Sequence, residues 1–412
     1  MAIDFQNLKF NLNKTRPVGY KYPAGLSFGL SDYVDAATQT INDSTNFVTV
    51  VNETDTSPAV GPAGSTANTS LQWNSSGTFI PKFTGEVEVL VVAGGGGAGV
   101  GGGGAGGLTY VSNQPVTEGT EYNCLVGAGG TWDTNVYGGP PQAGTHSSGN
   151  IQGPNAWNRG GFSSNIAEMP IITTGGGGGA NQCATNGDNS TFGWNQGGPG
   201  GSGGGGARGK YRPSTDVPYT SPSAGQSAGG SNGGIAGQGH TGGSARLPPW
   251  PPGSDFFPYG ESGAGGGAAE AGESGRSDHV GAAGGDGLEY SISGSPVYYA
   301  GGGGGGGGWM NSPQGVLYNI MTTSAGLGGN GGGGDGAYGA IGGVPGATAA
   351  FPYPAPVTNV SAVAGTANRG GGGGGGISGQ GIGPIPGQNG GSGVIIIRFK
   401  TYQRLDDNYF ID

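Results

Sequence analysis

The residues able to do chemistry are few and scattered. The three histidines, His146, His240 and His279, are not grouped with a Ser or Cys in any local motif that would make a nucleophile and its base. Glu270, Glu273 and His279 fall on one three-residue phase and invite a metal reading. On an extended threefold helix, residues three apart are separated by roughly 9 Å, too far for one coordination shell. They read as a solvated polar edge, and no metal is expected. Gly204 to Lys210 approximates a phosphate loop, but Tyr211 stands where Ser or Thr would hold magnesium, so the segment reads as an exposed basic loop. GxGxxG patterns recur because glycine is abundant, and none opens an amphipathic helix after a strand. Nothing selects a carboxylate pair for glycoside hydrolysis. Cys124 and Cys183 cannot build a disulfide scaffold and read as free thiols. The expectation is binding without catalysis or cofactor.

Composition limits what could position such residues. Glycine supplies 103 of 412 residues, while 33% are hydrophobic and 10% charged, so a conventional apolar core is excluded for most of the length. Ordering a glycine costs on the order of 1 to 2 kcal/mol, so these tracts are either disordered or held by something other than apolar burial. A net charge of −10, with basic residues dispersed apart from Arg208, Lys210 and Arg212, argues against a nucleic-acid partner. The start, MAIDFQNLKFNLNKTRPVGY, has no apolar h-region, and no long apolar run occurs, so neither secretion signal nor membrane insertion is expected.

Four regions are expected. Residues 1–41 are poor in Gly and mix Phe5, Leu8, Phe10 and Leu12 with Arg16, Tyr20 and three Lys; they read as a docking segment. Residues 42–70 hold a short strand at Phe47 to Val51 and then a stretch of linker composition. Residues 71–400 form a glycine-rich domain, and 401–412 a tail. Within the domain, Thr78 to Ile80, Glu86 to Val92, Leu108 to Val111, Tyr122 to Val126 and Val394 to Phe399 read as strands. VEVLVV and VIIIRF are apolar on both sides, so they are predicted to pair or pack together and close the domain at its base.

Inside the tracts the period is three. Gly260, Gly263, Gly266, Gly272, Gly275, Gly281, Gly284 and Gly287 share one phase, and the adjacent phase carries Glu261, Glu270, Glu273, Arg276 and His279. Residues 225–245 and 326–344 repeat the pattern. One glycine edge and one polar edge is the signature of a polyproline II-type helix, which makes no internal hydrogen bonds and must pair its backbone with neighbouring chains when buried. The fold class expected is therefore mostly irregular and β: a small strand base, a bundle of polyglycine II helices with aromatic and Pro-rich loops, and little α-helix. Glycine-only tracts such as 301–308 should lie inside and mixed tracts outside. Disorder is one alternative. Collagen is the other, disfavoured because Pro is nearly absent from the tracts and every insert breaks the phase.

Aromatic residues concentrate in the inserts between tracts: Trp157, Trp194, Tyr211, Tyr219, Trp250, Phe256, Phe257, Tyr259, Trp309, Tyr318, Phe351 and Tyr353. Rigid rings on Pro-stiffened paths are what binding surfaces favour, although rings that cap the shaft would share the composition. All of these except Trp194 are the binding candidates, on loops near 131–174, 207–224, 246–259, 309–325 and 345–369.

The segments SGTF, VEVLVVAGGGGAG, GGGGAGGLTYV, VGAGG, YSISGSPVYYAGGGGGG, GTANRGGGGGGG and GGSGVIIIRF resemble, in that order, the glycine-rich proteins of tailed bacteriophages, particularly marine and cyanobacterial ones. The resemblance runs from about Ser76 to Phe399. It implies a tail-fibre tip adhesin on a polyglycine II shaft, exposed on the virion and present in several copies. Loops would contact a host-surface glycan or outer-membrane protein, and the N-terminus would attach to a fibre, tail, baseplate or capsid protein. The same resemblance leaves open a capsid or tail decoration protein, and at a further remove an enzyme attacking surface polysaccharide. No individual binding residue carries over.

Overall fold

A computed structural model describes residues 48–51, 55–58, 66–132, 160–180, 197–207, 236–245, 262–276, 280–307, 324–341, 357–377 and 385–402. Among these residues there is no α-helix. The strands are β1 (Val48–Val51), β2 (Asp55–Pro58), β3 (Thr66–Trp73), β4 (Gly77–Pro81), β5 (Gly85–Val92), β6 (Leu108–Val116), β7 (Tyr122–Leu125), β8 (Ser164–Ile166), β9 (Ile171–Thr173), β10 (Leu288–Tyr290), β11 (Val297–Tyr299), β12 (Tyr338–Ile341), β13 (Val357–Val360) and β14 (Val394–Tyr402). They form two five-stranded antiparallel sheets, ordered β2-β3-β14-β5-β6 and β1-β4-β7-β8-β9, and two hairpin-like pairs, β10-β11 and β12-β13.

The two runs apolar on both sides pair with each other, as the sequence predicts, with Ile395 opposite Val91 and Ile397 opposite Val89. Alternation then divides their side chains between two cores. Val87, Val89, Val91, Ile395, Ile397 and Phe399 face the other sheet, where they meet Phe79, Tyr122, Cys124, Ile166, Met169 and Ile171. Phe79 centres this core, with ring centroids 6.1 Å from Trp73 and 6.0 Å from Tyr122. Leu90, Val92, Val394 and Ile396 face the opposite way, onto Ala105, Leu108, Ala268, Ile292, Tyr299 and Ala300. Both faces of the central strands are therefore covered, which is what such residues require.

Linker composition misleads before residue 70. β2 pairs β3, β3 pairs β14 along eight residues from Thr66 to Trp73, and β1 pairs β4. Thr69, Leu71 and Trp73 alternate onto the core face, at 1%, 0% and 0% exposure, so a period of two is present beneath the polar composition. The segments 131–174 and 345–369, expected as loops, also contribute strands: β8, β9 and β13. Ile166, Met169 and Ile171 fill the core between the sheets, which fixes that part of the chain.

Strand ends run directly into glycine tracts. β5 continues into 93–98, which turns at Ala98–Gly101 and returns as 101–107 into β6, with Ala93 donating to Gly107 and Gly96 to Gly104. Interior tracts donate in three directions that recur every third residue. In 101–107, Gly101, Gly104 and Gly107 donate to Ala180, Gly177 and Thr174; Gly102 and Ala105 to Gly263 and Gly266; Gly103 and Gly106 to Gly373 and Gly370. Tract 301–307 behaves alike: Gly301, Gly304 and Gly307 reach Gly331, Gly334 and Ala337, Gly302 and Gly305 reach Gly285 and Ala282, and Gly303 and Gly306 reach Gly103 and Val100. The partners ascend in some neighbours and descend in others, so parallel and antiparallel tracts are mixed. Burial follows the expected order in part: 301–307 is buried throughout and Thr241, Glu270 and Glu273 are exposed, but 262–268, from the mixed 260–287 run, is buried as well.

One expectation about these runs changes. The 260–287 phase is interrupted in sequence only by Ala269 and Asp278, yet the chain folds back at Ala268–Glu270, and Ala264 donates to Glu273 and Glu273 to Ala283. Residues 326–344 likewise fold back at Asn330–Gly332, where Gly331 and Gly332 take φ of 103° and 93°, a conformation that glycine adopts without strain. Reversals that preserve the three-residue register hide from a periodicity count.

Candidate functional site

The lattice has two unlike ends. At one, Gly94, Gly106, Gly107 and Gly393 sit beside the sheets. At the other, the Ala98–Gly101 turn forms a hub. Val100 and Gly101 both donate to the Ala180 carbonyl (2.8 and 3.0 Å), Gly376 donates to Gly99 (2.7 Å), Gly306 to Val100 (3.1 Å) and Ala98 to Gln388 (2.8 Å). Ser262 Oγ donates to the Gly306 carbonyl at 2.7 Å. Ala180, Ser262, Gly306 and Gly376 are each at or within one residue of the last described residue beside an insert, namely 181–196, 246–261, 308–323 and 378–384. Ala207 precedes a fifth, 208–235, and its neighbour Gly206 bonds to Gly243 and Gly263. That insert rejoins at Ala236, two residues from Gln238, whose carbonyl accepts from Leu108 at the sheet end.

The hub is built of small residues. Ala98, Ala180 and Ala207 are at most 1% exposed, so five chain segments converge on a dense backbone framework whose polar groups are largely spent on one another. Its bonded groups are backbone amides, carbonyls and the Ser262 hydroxyl, which hold its neighbours in place. Every binding candidate named from the sequence (Trp157, Tyr211, Tyr219, Trp250, Phe256, Phe257, Tyr259, Trp309, Tyr318, Phe351 and Tyr353) lies outside the described residues, as do the docking candidates Phe5, Leu8, Phe10, Leu12, Arg16 and Tyr20. What the structure places is the described framework on which the inserts begin and end.

The chemical candidates resolve further. Gly204, Gly205 and Gly206 spend their N–H groups on Gly198, Gly102 and Gly243, so this glycine run offers no amide cradle to a phosphate. Glu270 and Glu273 are exposed on the lattice flank; His279 lies outside the described residues, and no group of metal-ligating side chains occurs among the described ones. Cys124 is buried in the core, where burial, aided by the Glu168 charge, pushes its thiol far above the ordinary range. It is a packing residue, and Cys183 lies outside the described residues. Among the described residues no helix is long and apolar enough to cross a membrane.

Sequence reasoning missed a polar clamp at the sheet end. Arg398 on β14 pairs with Glu88 on β5 and donates from Nη1 to the Ser291 carbonyl at 2.9 Å, while Ser70 Oγ on β3 donates to Ile292. Tyr110 donates to Glu88 at 2.7 Å and stacks near Tyr290, centroids 4.9 Å apart. Burial, then the Glu88 hydrogen bond, raises the Tyr110 hydroxyl above its usual value. Arg369 lies 5.5 Å over the Tyr299 ring and donates to Tyr298. Together these contacts fasten the β10-β11 hairpin, which carries the chain from tract 280–287 into the buried tract 301–307. The signal was visible as Glu88 on the polar side of VEVLVV and Arg398 ending VIIIR, yet nothing local linked residues 310 positions apart.

Two antiparallel sheets whose strands extend into a cross-bonded bundle of glycine tracts define a β-based glycine-lattice protein. A family model described as a glycine-rich domain matches residues 70–400, and the chain belongs to that family. No curated protein and no solved structure matches it.

Proposed function

We propose that this chain is a non-enzymatic virion protein of a tailed bacteriophage, a tail-fibre or tail-tip adhesin that binds the host cell surface through inserts carried on a polyglycine II shaft. The polyglycine II reading is supported by the threefold recurrence of backbone partners in 101–107 and 301–307, each residue bonding to one of three neighbours and returning after three. A helix without internal hydrogen bonds becomes stable when it can spend every donor laterally, and glycine permits that approach.

The observation that carries the adhesin reading is that described residues flanking four inserts, and the residue that precedes a fifth, meet at the Ala98–Gly101 end, opposite the sheets. These inserts hold Trp194, Tyr211, Trp250, Phe257, Trp309 and Tyr318, rings that add contact area at low entropy cost. Residues 1–41 would dock onto a fibre, tail, baseplate or capsid protein. Several copies per particle would convert weak single contacts with a glycan or outer-membrane protein into firm attachment.

The experiment replaces 246–261 with a short Gly-Ser linker in the phage and measures adsorption, particle incorporation and thermal melting. Adsorption should fall by at least roughly tenfold, the loss of about 1.4 kcal/mol of binding, with incorporation and melting unchanged. Undiminished adsorption after all five hub inserts are replaced would overturn the reading. Labelling spread over the capsid shell in place of a fibre end would favour a decoration protein instead.

A further inference from the structure

Interior and peripheral tracts use their three directions differently. Tract 262–268 spends all of them: Gly263 and Gly266 donate to Gly206 and Gly203, Ala264 and Gly267 to Glu273 and Glu270, Gly265 and Ala268 to Gly303 and Ala300. Tract 270–276 spends two. Gly272 and Gly275 donate to Thr241 and Ser244, and Glu270 and Glu273 to Asp286 and Ala283. Ala271 and Ser274, both exposed, donate their N–H groups to no backbone acceptor among the described residues. The third direction faces solvent.

On such flanks, exposed non-glycine residues replace the glycines of the interior: Glu270, Ala271, Glu273, Ser274 and Arg276; Leu327 and Asn330; Val363, Ala364, Thr366 and Ala367; Ala128 and Thr131. Their effect on an incoming tract follows from the interior. A Cβ built on Gly263 would lie 1.9 Å from the Gly243 oxygen, on Gly303 2.0 Å from Gly373, and on Gly372 1.9 Å from Gly103, where real Cβ contacts do not fall below 3.0 Å. A tract laid on the 270–276 flank at the same spacing would meet Cβ atoms that already exist.

We infer that the outward side chains terminate the lattice. The unspent donors of Ala271 and Ser274 form a latent docking edge for one more glycine tract, of the kind a second copy of this chain carries, and the Cβ atoms of Glu270, Ala271, Glu273, Ser274 and Arg276 together hold that edge closed. The device is the glycine-lattice counterpart of charged residues guarding an exposed β-edge. It is independent of what the inserts bind.

Two multiple variants test it. Glu270→Gly, Ala271→Gly, Glu273→Gly, Ser274→Gly, Arg276→Gly removes the Cβ atoms, whereas Ser at all five positions removes charge and length but keeps them. Sedimentation velocity across a concentration series should show the all-Gly variant self-associating at least roughly tenfold more tightly than the native chain, while the all-Ser variant sediments as native. Amide exchange at positions 271 and 274 should slow in the associated form. Protection of the 301–307 amides certifies the fold of each variant; should the all-Gly variant lose it, Ala271→Gly, Glu273→Gly, Ser274→Gly carries the same comparison. A folded Gly variant that does not associate more than native, or an all-Ser variant that associates equally well, overturns the inference.

Discussion

Replacing Gly303 with Ala probes the lattice where it is densest. Its Cβ would sit 2.0 Å from the Gly373 oxygen, so tract 371–376 must retreat by about 1 Å to reach the 3.0 Å limit of real contacts. That shift stretches the two hydrogen bonds that join these tracts, Gly372 to Gly301 and Gly375 to Gly304, each 2.9 Å, beyond bonding range. Two buried bonds broken this way cost about 2–6 kcal/mol in total, at about 1–3 kcal/mol for each broken bond. At roughly 1–2 °C per kcal/mol for a chain of this size, calorimetry should record a melting temperature lower by roughly 2–12 °C. The sign is opposite to that of an unstrained Gly→Ala change, which stabilises by about 0.4–1 kcal/mol. Gly85→Ala is the control: its Cβ would meet only Phe83, at 3.4 Å, so melting should stay within about 2 °C of native. If Gly303→Ala melts together with Gly85→Ala, the tracts are not packed through backbone contact and the reasoning fails.

Other expectations concern the sheet end. Ile397→Ala, at a fully buried position between the sheets, should cost about 2–5 kcal/mol in chemical denaturation, since the cavity adds to the lost transfer energy. Ser70→Ala strips the donor from the Ile292 carbonyl and should speed amide exchange in β10-β11 more than in β5. For Glu168, burial raises the carboxyl, but hydrogen bonds from the Asn123 side chain and backbone N–H outweigh it and hold it below its usual value. Its stabilisation is therefore complete above about pH 4.3 and lost as pH falls through the lower folded value, so melting of the native chain should drop more steeply there than that of Glu168→Gln. Tyr110 works at the other extreme: its raised value stabilises fully below about pH 10 and is lost as pH rises further, a decline that Tyr110→Phe should blunt.

The base was legible because its signal is local. VEVLVV and VIIIRF announce strands buried on both faces, and strands so built have few places to go other than against each other. β3 was hidden because Thr, Asn and Ser dominate its composition while Thr69, Leu71 and Trp73 keep the period of two. The lattice was legible in its period and illegible in its path. A three-residue phase states that glycines face neighbours, but it runs through the reversal at 330–332 without a mark, marks that at 268–270 only by Ala269, and does not say that Gly103 meets Gly373. Such pairings are set by the whole bundle. The hub is of that kind: Ala98–Gly101 is an ordinary fragment of a glycine run, and its place beside Ala180, Gly306 and Gly376 arises only from tertiary hydrogen bonds.

Amide hydrogen exchange of the native chain, resolved by NMR for tracts 101–107, 301–307 and 371–376, tests most directly whether backbone hydrogen bonds make this core. These glycine amides should be protected to the same degree as those of Val89, Val91 and Ile396, opening only with global unfolding. Exchange of the glycine amides at the rate of an unstructured chain, beside protected strands β5 and β14, would contradict the account.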